Sequence, residues 1–117
     1  MIRVLTARAR ELEIPFLEHT YVYDILQAGD TVQGVSTINK NEEVTHIIAG
    51  KTIFACGGFS NTFFRSSSRN KENFGDAIGL AYRAGAMIGD VEMVQFHPTG
   101  LLYPEKKFGE LVTEAVR

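Results

Sequence analysis

The chain has 117 residues, of which 44% are hydrophobic and 22% charged, and its 12 Lys+Arg against 14 Asp+Glu leave a net charge of −2. That length is one domain's worth, and the balance argues against global disorder. The near-neutral charge gives no electrostatic case for nucleic acid or an anionic membrane as a partner.

In chain order, Ile2, Leu5, Ala9 and Leu12 recur at helical spacing, with Arg3, Arg8, Arg10 and Glu11 on the other faces, which predicts a helix over residues 2–12. The recurring arginines leave no signal-peptide core. Pro15 forbids continuation of the helix, and Phe16-Leu17 suggests a short buried strand. Strands are then expected at Thr20–Leu26, Thr31–Ile38 and Val44–Ile48, separated by Ala28-Gly29-Asp30 and Asn39-Lys40-Asn41-Glu42. Three short strands joined by tight turns read as an antiparallel meander. A fourth apolar strand is expected at Lys51–Ala55, ending at Gly57-Gly58, followed by a loop over 59–75. Asp76 opens a helix through about Ala86, Val91–Phe96 is strand-like, and His97-Pro98-Thr99-Gly100 is a turn. Leu102–Gly109 reads as a surface loop and Leu111–Val116 begins another element. No apolar run approaches the roughly 20 residues that span a bilayer, so no direct membrane insertion is expected. Cys56 is the only cysteine, which excludes an intrachain disulfide and makes a reducing cytoplasm the expected location. Met1 begins directly in a helix-like pattern and Arg117 ends without a helix stop, so both ends read as cuts through a larger fold.

His19, His46 and His97 form no metal-ligand spacing with other donors, and no metal is expected. His19 and His46 read as solvent-facing. Gly57-Gly58 at the end of a strand allows a ligand to approach the backbone closely, or is a plain turn. Asp76 either caps the N–H groups of residues 78 and 79 or holds a hydroxyl-bearing ligand at the helix mouth. His97 sits on a rigid turn, where it donates to an anionic substrate or acts as an acid, or else bonds to its own turn. Thr113-Glu114 with Arg117 is either a polar cluster directed at a carboxylate or a solvated helix start.

As an ordered set these residues closely resemble the flavoprotein subunits of succinate dehydrogenase and fumarate reductase, whose superfamily includes L-aspartate oxidase. The matching segments are Ala55-Cys56-Gly57-Gly58, then Phe74 to Ala86 around Gly75-Asp76-Ala77, then Asp90 to Gly100 with Gln95-Phe96-His97-Pro98-Thr99-Gly100, and Thr113-Glu114-Ala115-Val116-Arg117. The family writes these as A-T-G-G, T-G-D-G-x-x-M-A-x-R-A-G-A, D-M-E-x-x-Q-F-H-P-T-G and T-E-A-x-R-G-E-G-G. Residues 1–50 fit less specifically, as a helix, a strand and a meander.

The resemblance implies an α/β chain, a fragment of a Rossmann-like FAD-binding domain with a three-stranded antiparallel β-meander. Residues 1–117 are then a single partial FAD-binding domain, with the start of the substrate-capping region near 97–117. It implies FAD contacts at Ala55, Gly57, Gly58 and Asp76, and backbone near Tyr21-Val22 beside the adenine. It implies that His97, Thr113 and Glu114 line a dicarboxylate pocket, with His97 and Glu114 serving the chemistry. In that picture Glu114 orients an arginine that shuttles the proton while hydride moves between substrate and flavin. The implied parent interconverts succinate and fumarate; an L-aspartate oxidase fragment and a non-catalytic, self-associating remnant are the alternatives. Some members have an iron–sulfur subunit, and some lie at the inner face of the cytoplasmic membrane.

Departures from the pattern are Cys56 for Thr, Ala77 for Gly and Phe59 for a small residue. The loop Leu101–Gly109 is longer than in typical succinate dehydrogenases and is similar to the aspartate oxidases. The sequence has no G-x-G-x-x-G, the turn that holds the ADP pyrophosphate. The chain is therefore expected to be inert alone, and to self-associate through exposed sheet edges and apolar faces.

Overall fold

A computed structural model describes residues 1–64, 66, 72–97 and 99–112. Helix α1 spans Ile2–Glu11. Its last turn carries Arg8 and Arg10, which suit the negative end of the helix dipole. The stop comes before Pro15. Glu13 turns left-handed at φ 55°, the Glu13 N–H donates to the Arg10 carbonyl, and the Ile14 N–H reaches back to Ala9. That is a Schellman motif, here without the usual glycine. Phe16 and Leu17 form no strand and are exposed, which corrects the expectation of a buried one.

Three strands follow, β1 Thr20–Ala28, β2 Thr31–Asn39 and β3 Val44–Ile48, paired antiparallel in the order β1-β2-β3. This is the expected meander. Gly29, at φ 58°, makes the two-residue β1–β2 turn. At the β2–β3 turn the Asn39 side chain organises the loop, because its Oδ1 accepts the N–H groups of Asn41 and Glu43. Two irregularities bend the β1–β2 ladder. One leaves Tyr23 without a direct partner, and the other falls at Gln33-Gly34. Gly34 has φ 151°, and a Cβ there would collide with the Ile47 backbone carbonyl. On β2, Ser36 and Thr37 are buried; Ser36 Oγ lies 3.0 Å from His46 Nδ1, and the Thr37 hydroxyl donates to Thr45 O at 3.1 Å. His46 is exposed, as expected, but engaged across the strands.

Beyond the meander the structure is mostly irregular. The expected strands at Lys51–Ala55 and Val91–Phe96 are absent. A strand needs a neighbour for its N–H and C=O groups, and among the described residues neither segment has one. Ile53 is 87% exposed, where a central strand would bury it. A short 3₁₀ turn forms at Ser60–Thr62. Helix α2 spans Asp76–Arg83, three residues shorter than its apolar pattern suggests. Gly85 takes φ 85°, its N–H donates to Tyr82, and the Ala86 N–H reaches Ala81, so a second Schellman motif ends the helix. The loop 101–110 is closed by a bridge between Gly100 and Leu111 and holds a 3₁₀ turn at Glu105–Lys107.

The only buried apolar side chains among the described residues are Ile25 at 8% exposure and Leu80 at 4%, one on β1 and one on α2. No helix among them is long and apolar enough to cross a membrane.

Candidate functional site

Helix α2 is fastened to β1 at both ends. The Arg83 guanidinium donates to the Tyr23 carbonyl at 3.2 Å, next to the irregularity that leaves that residue unpaired. The Gln27 amide donates to the Ala84 carbonyl at 2.9 Å, satisfying one of the helix's last acceptors. At the opposite end, the Tyr21 phenol donates to Asp76 Oδ1 at 2.9 Å. Asp76 is the first residue of α2, and its side chain does not cap the helix. The N-cap position is Gly75, left-handed at φ 82°, so the capping alternative for Asp76 is not realised. The hydrogen bond to Asp76 is the main cause holding the Tyr21 phenol above its usual pKa. Desolvation and the Asp76 charge act in the same direction, and Arg83 opposes them.

The Gly-Gly turn meets the same helix mouth. The Gly75 N–H donates to the Gly58 carbonyl at 3.2 Å. One step out, the Asn61 N–H donates to Asn73 O and the Asn61 amide to Glu72 O. The stretch 58–61 thus runs against 72–75. Gly57 is left-handed at φ 75°, and a Cβ there would run into the Asn73 side chain. A Cβ at Gly58 would meet nothing, because open space lies before it.

That space belongs to a cleft of about 570 Å³. Gly58, Phe59 and Phe63 line it, together with Met93, Phe96 and His97 from the strand-free segment 91–97. Phe63 sits 6.0 Å from both Phe59 and Phe96, edge-on to the latter, and so closes the aromatic wall. Gln95, His97 and Thr99 supply polar groups. His97 is half-buried. Its Nδ1 lies 3.0 Å from the Thr99 carbonyl oxygen, 3.2 Å from Thr99 Oγ1 and 3.3 Å from the Thr99 N–H. With Nδ1 unprotonated it accepts from the Thr99 N–H and hydroxyl, which holds the plane of the ring and leaves the Nε2 proton to donate; with Nδ1 protonated it donates to the Thr99 carbonyl instead.

The structure therefore gathers four of the nine sequence-derived candidates at two linked places. Gly58 and His97 share the cleft; Tyr21 and Asp76 meet at the helix mouth; the Gly58–Gly75 hydrogen bond joins the two. Val22 lies half-buried on β1 beside Tyr21, and Ala55 lies on exposed backbone before the Gly-Gly turn. Neither lines the cleft. Thr113 and Glu114 lie outside the described residues. The bond of His97 to its own turn is one of the alternatives the sequence offered, and its partner is Thr99. The Phe63 wall went unassigned, because an aromatic wall from separated segments leaves no local pattern. Among the described residues no group of side chains is arranged to hold a metal ion, and Cys56 is an exposed thiol.

A family model described as an FAD binding domain matches residues 1–117. L-aspartate oxidase of Halalkalibacterium halodurans is 42% identical over 94% of the chain and 20% of its own length. A fumarate reductase (CoM/CoB) subunit of Methanothermobacter marburgensis is 36% identical over 100% of the chain and 21% of its own length. The succinate dehydrogenase flavoprotein subunit of Rickettsia felis is 30% identical over 100% of the chain and 19% of its own length. The chain spans about a fifth of the length of these relatives. No solved structure matches it.

Proposed function

The chain belongs to the FAD-binding domain family, and from that membership we propose that it is the flavin-facing part of a dicarboxylate oxidoreductase. The observation that carries this reading is the shared cleft. Its lining includes both the Gly58 backbone, with no heavy atom within 4 Å of where a Cβ would stand, and His97.

The residues fit the flavin end of FAD. A volume of about 570 Å³ lies in the range of about 300–1,000 Å³ usual for ligand pockets, and its lining combines aromatic side chains with polar groups from Ser60, Ser66, Gln95, His97 and Thr99. The aromatic wall and the bare Gly58 backbone suit a flat ring. The pyrophosphate has no counterpart, since the sequence contains no G-x-G-x-x-G. FAD, when bound, supplies a hydride acceptor and donor. Ala55, Gly57 and Gly58 lie along it, while Asp76 and the Tyr21-Val22 segment hold a more distant part. His97, held by Thr99, hydrogen-bonds a substrate carboxylate. Thr113 adds a hydroxyl, and Glu114 orients the group that moves the proton. Residues 1–117 are a partial FAD-binding domain, and the substrate-capping region starts near 97–117.

Succinate or fumarate is the proposed substrate, with L-aspartate as the second reading; relatives named for each match the chain. Two relatives are named as subunits, which supports a partner subunit, proposed here to carry iron–sulfur centres. The proposed location is the cytoplasm or the inner face of its membrane.

In the full-length protein, Asp76→Ala is expected to weaken FAD binding about tenfold, read by flavin fluorescence. His97→Ala is expected to keep the flavin and lower dicarboxylate turnover about 100-fold. Unchanged FAD affinity in the first variant, or unchanged turnover in the second, would remove the corresponding assignment. Turnover of L-aspartate but not of succinate or fumarate would select the second substrate.

A further inference from the structure

The geometry points to Tyr21 as a positioning residue of the cofactor site, its phenol holding the Asp76 carboxylate in the direction from which it meets a hydroxyl group of FAD. The inference rests on the assignment of Asp76 to the cofactor made above.

A carboxylate on the first residue of a helix ordinarily folds back over the open N–H groups or turns into water. Asp76 makes no cap bond and is exposed, so nothing in α2 itself fixes its orientation. The constraint arrives from a strand 55 residues earlier, through Tyr21 Oη on Asp76 Oδ1 at 2.9 Å. Among the described residues no other side chain donates to this carboxylate, so Oδ2 remains for a ligand hydroxyl. The phenol's raised pKa keeps it protonated, and therefore a donor, throughout the neutral range. A carboxylate already held loses less freedom on binding, which favours affinity.

The helix does not depend on this bond for its docking. Arg83 on Tyr23 O and Gln27 on Ala84 O fasten α2 farther along, and the Leu80 and Ile25 side chains are buried. Tyr21→Phe removes one hydroxyl from a side chain that is 52% exposed and leaves those contacts in place. Gln27→Ala does the reverse, severing a fastening at the far end and sparing the mouth.

The test compares FAD dissociation constants of the full-length protein and its variants, with thermal melting of the flavin-free forms. Tyr21→Phe is expected to weaken FAD binding about 3- to 10-fold. Asp76→Asn is expected to weaken it as well, and the double variant to be no weaker than Asp76→Asn alone. Gln27→Ala is expected to lower the melting temperature without changing FAD affinity. In the flavin-free protein, Asp76→Asn should bring one tyrosine's ionisation, followed by tyrosinate absorbance, back toward about 10. Wild-type affinity in Tyr21→Phe beside a weakened Asp76→Asn overturns the inference alone. Additive losses, or an equal loss in Gln27→Ala, overturn it in favour of an independent or merely structural role. Unchanged affinity in Asp76→Asn instead removes the assignment of Asp76 itself.

Discussion

At the scale of single residues, the same type of side chain carries different duties according to what faces it. Glycine shows this best. Gly58 leaves open space before the cleft, whereas Gly34 is required by its own fold. Gly34 combines φ 151° with an Ile47 carbonyl where a Cβ would stand, and both atoms belong to backbone that cannot swing aside. Gly34→Ala is expected to destabilise the meander by about 2 kcal/mol or more, measured by urea unfolding. Tolerance of alanine would mean that the ladder slips at Gln33-Gly34 at little cost. Asp76 was legible in the sequence as a helix start with two possible duties. A sequence cannot reveal that the donor it meets is Tyr21, because that contact depends on α2 lying against β1.

At the scale of elements, the meander was readable almost to its ends, and the reason is local. Alternating β-branched and aromatic residues, Gly29-Asp30 and the Asn39 turn all act within a few residues of one another. The helix ends were less readable. Pro15 marks where α1 cannot continue, yet its stop is the left-handed Glu13 two residues earlier, and α2 stops at the left-handed Gly85 rather than at about Ala86. The expected strands at 51–55 and 91–96 failed for a different reason: apolar composition specifies what a segment prefers to bury, not whether a partner strand lies beside it. The helices differ in the same respect. α2 buries Leu80, whereas α1 has no buried residue and its Leu5 is 63% exposed. In the 117-residue chain, Ile25→Ala is therefore expected to cost about 2–4 kcal/mol and Leu5→Ala less than about 0.5 kcal/mol. Equal losses in the two variants, measured by denaturation, would show that α1 packs against something. The Arg8–Glu11 pair on α1, exposed on both sides, adds little to its stability.

At the scale of the molecule, the surface is too large for the chain. The accessible area is 10344 Å², against about 6,300 Å² for a folded monomer of 13.0 kDa. The radius of gyration is 17.8 Å, where about 13 Å is usual for this length. Exposed apolar side chains run from Ile2 and Leu5 through Ile53 and Phe64 to Leu102 and Tyr103. Surface of this kind needs a cover. For the isolated chain we propose that other copies provide it. Light scattering is expected to give a mass above one chain, rising with concentration, together with no dicarboxylate turnover. A constant monomer mass at high concentration would count against self-association.

The sequence by itself determined the meander, the position of α2 and the family, because each rests on residues close together in the chain or on motifs in a fixed order. Only the tertiary structure decided that Gly58 and His97 share one cleft, that Tyr21 rather than a helix cap holds Asp76, and that two apolar segments remain irregular. Those outcomes depend on which neighbours a segment meets across tens of residues. A hydrogen bond, an aromatic contact or a strand pairing exists only where the partner has been brought within reach.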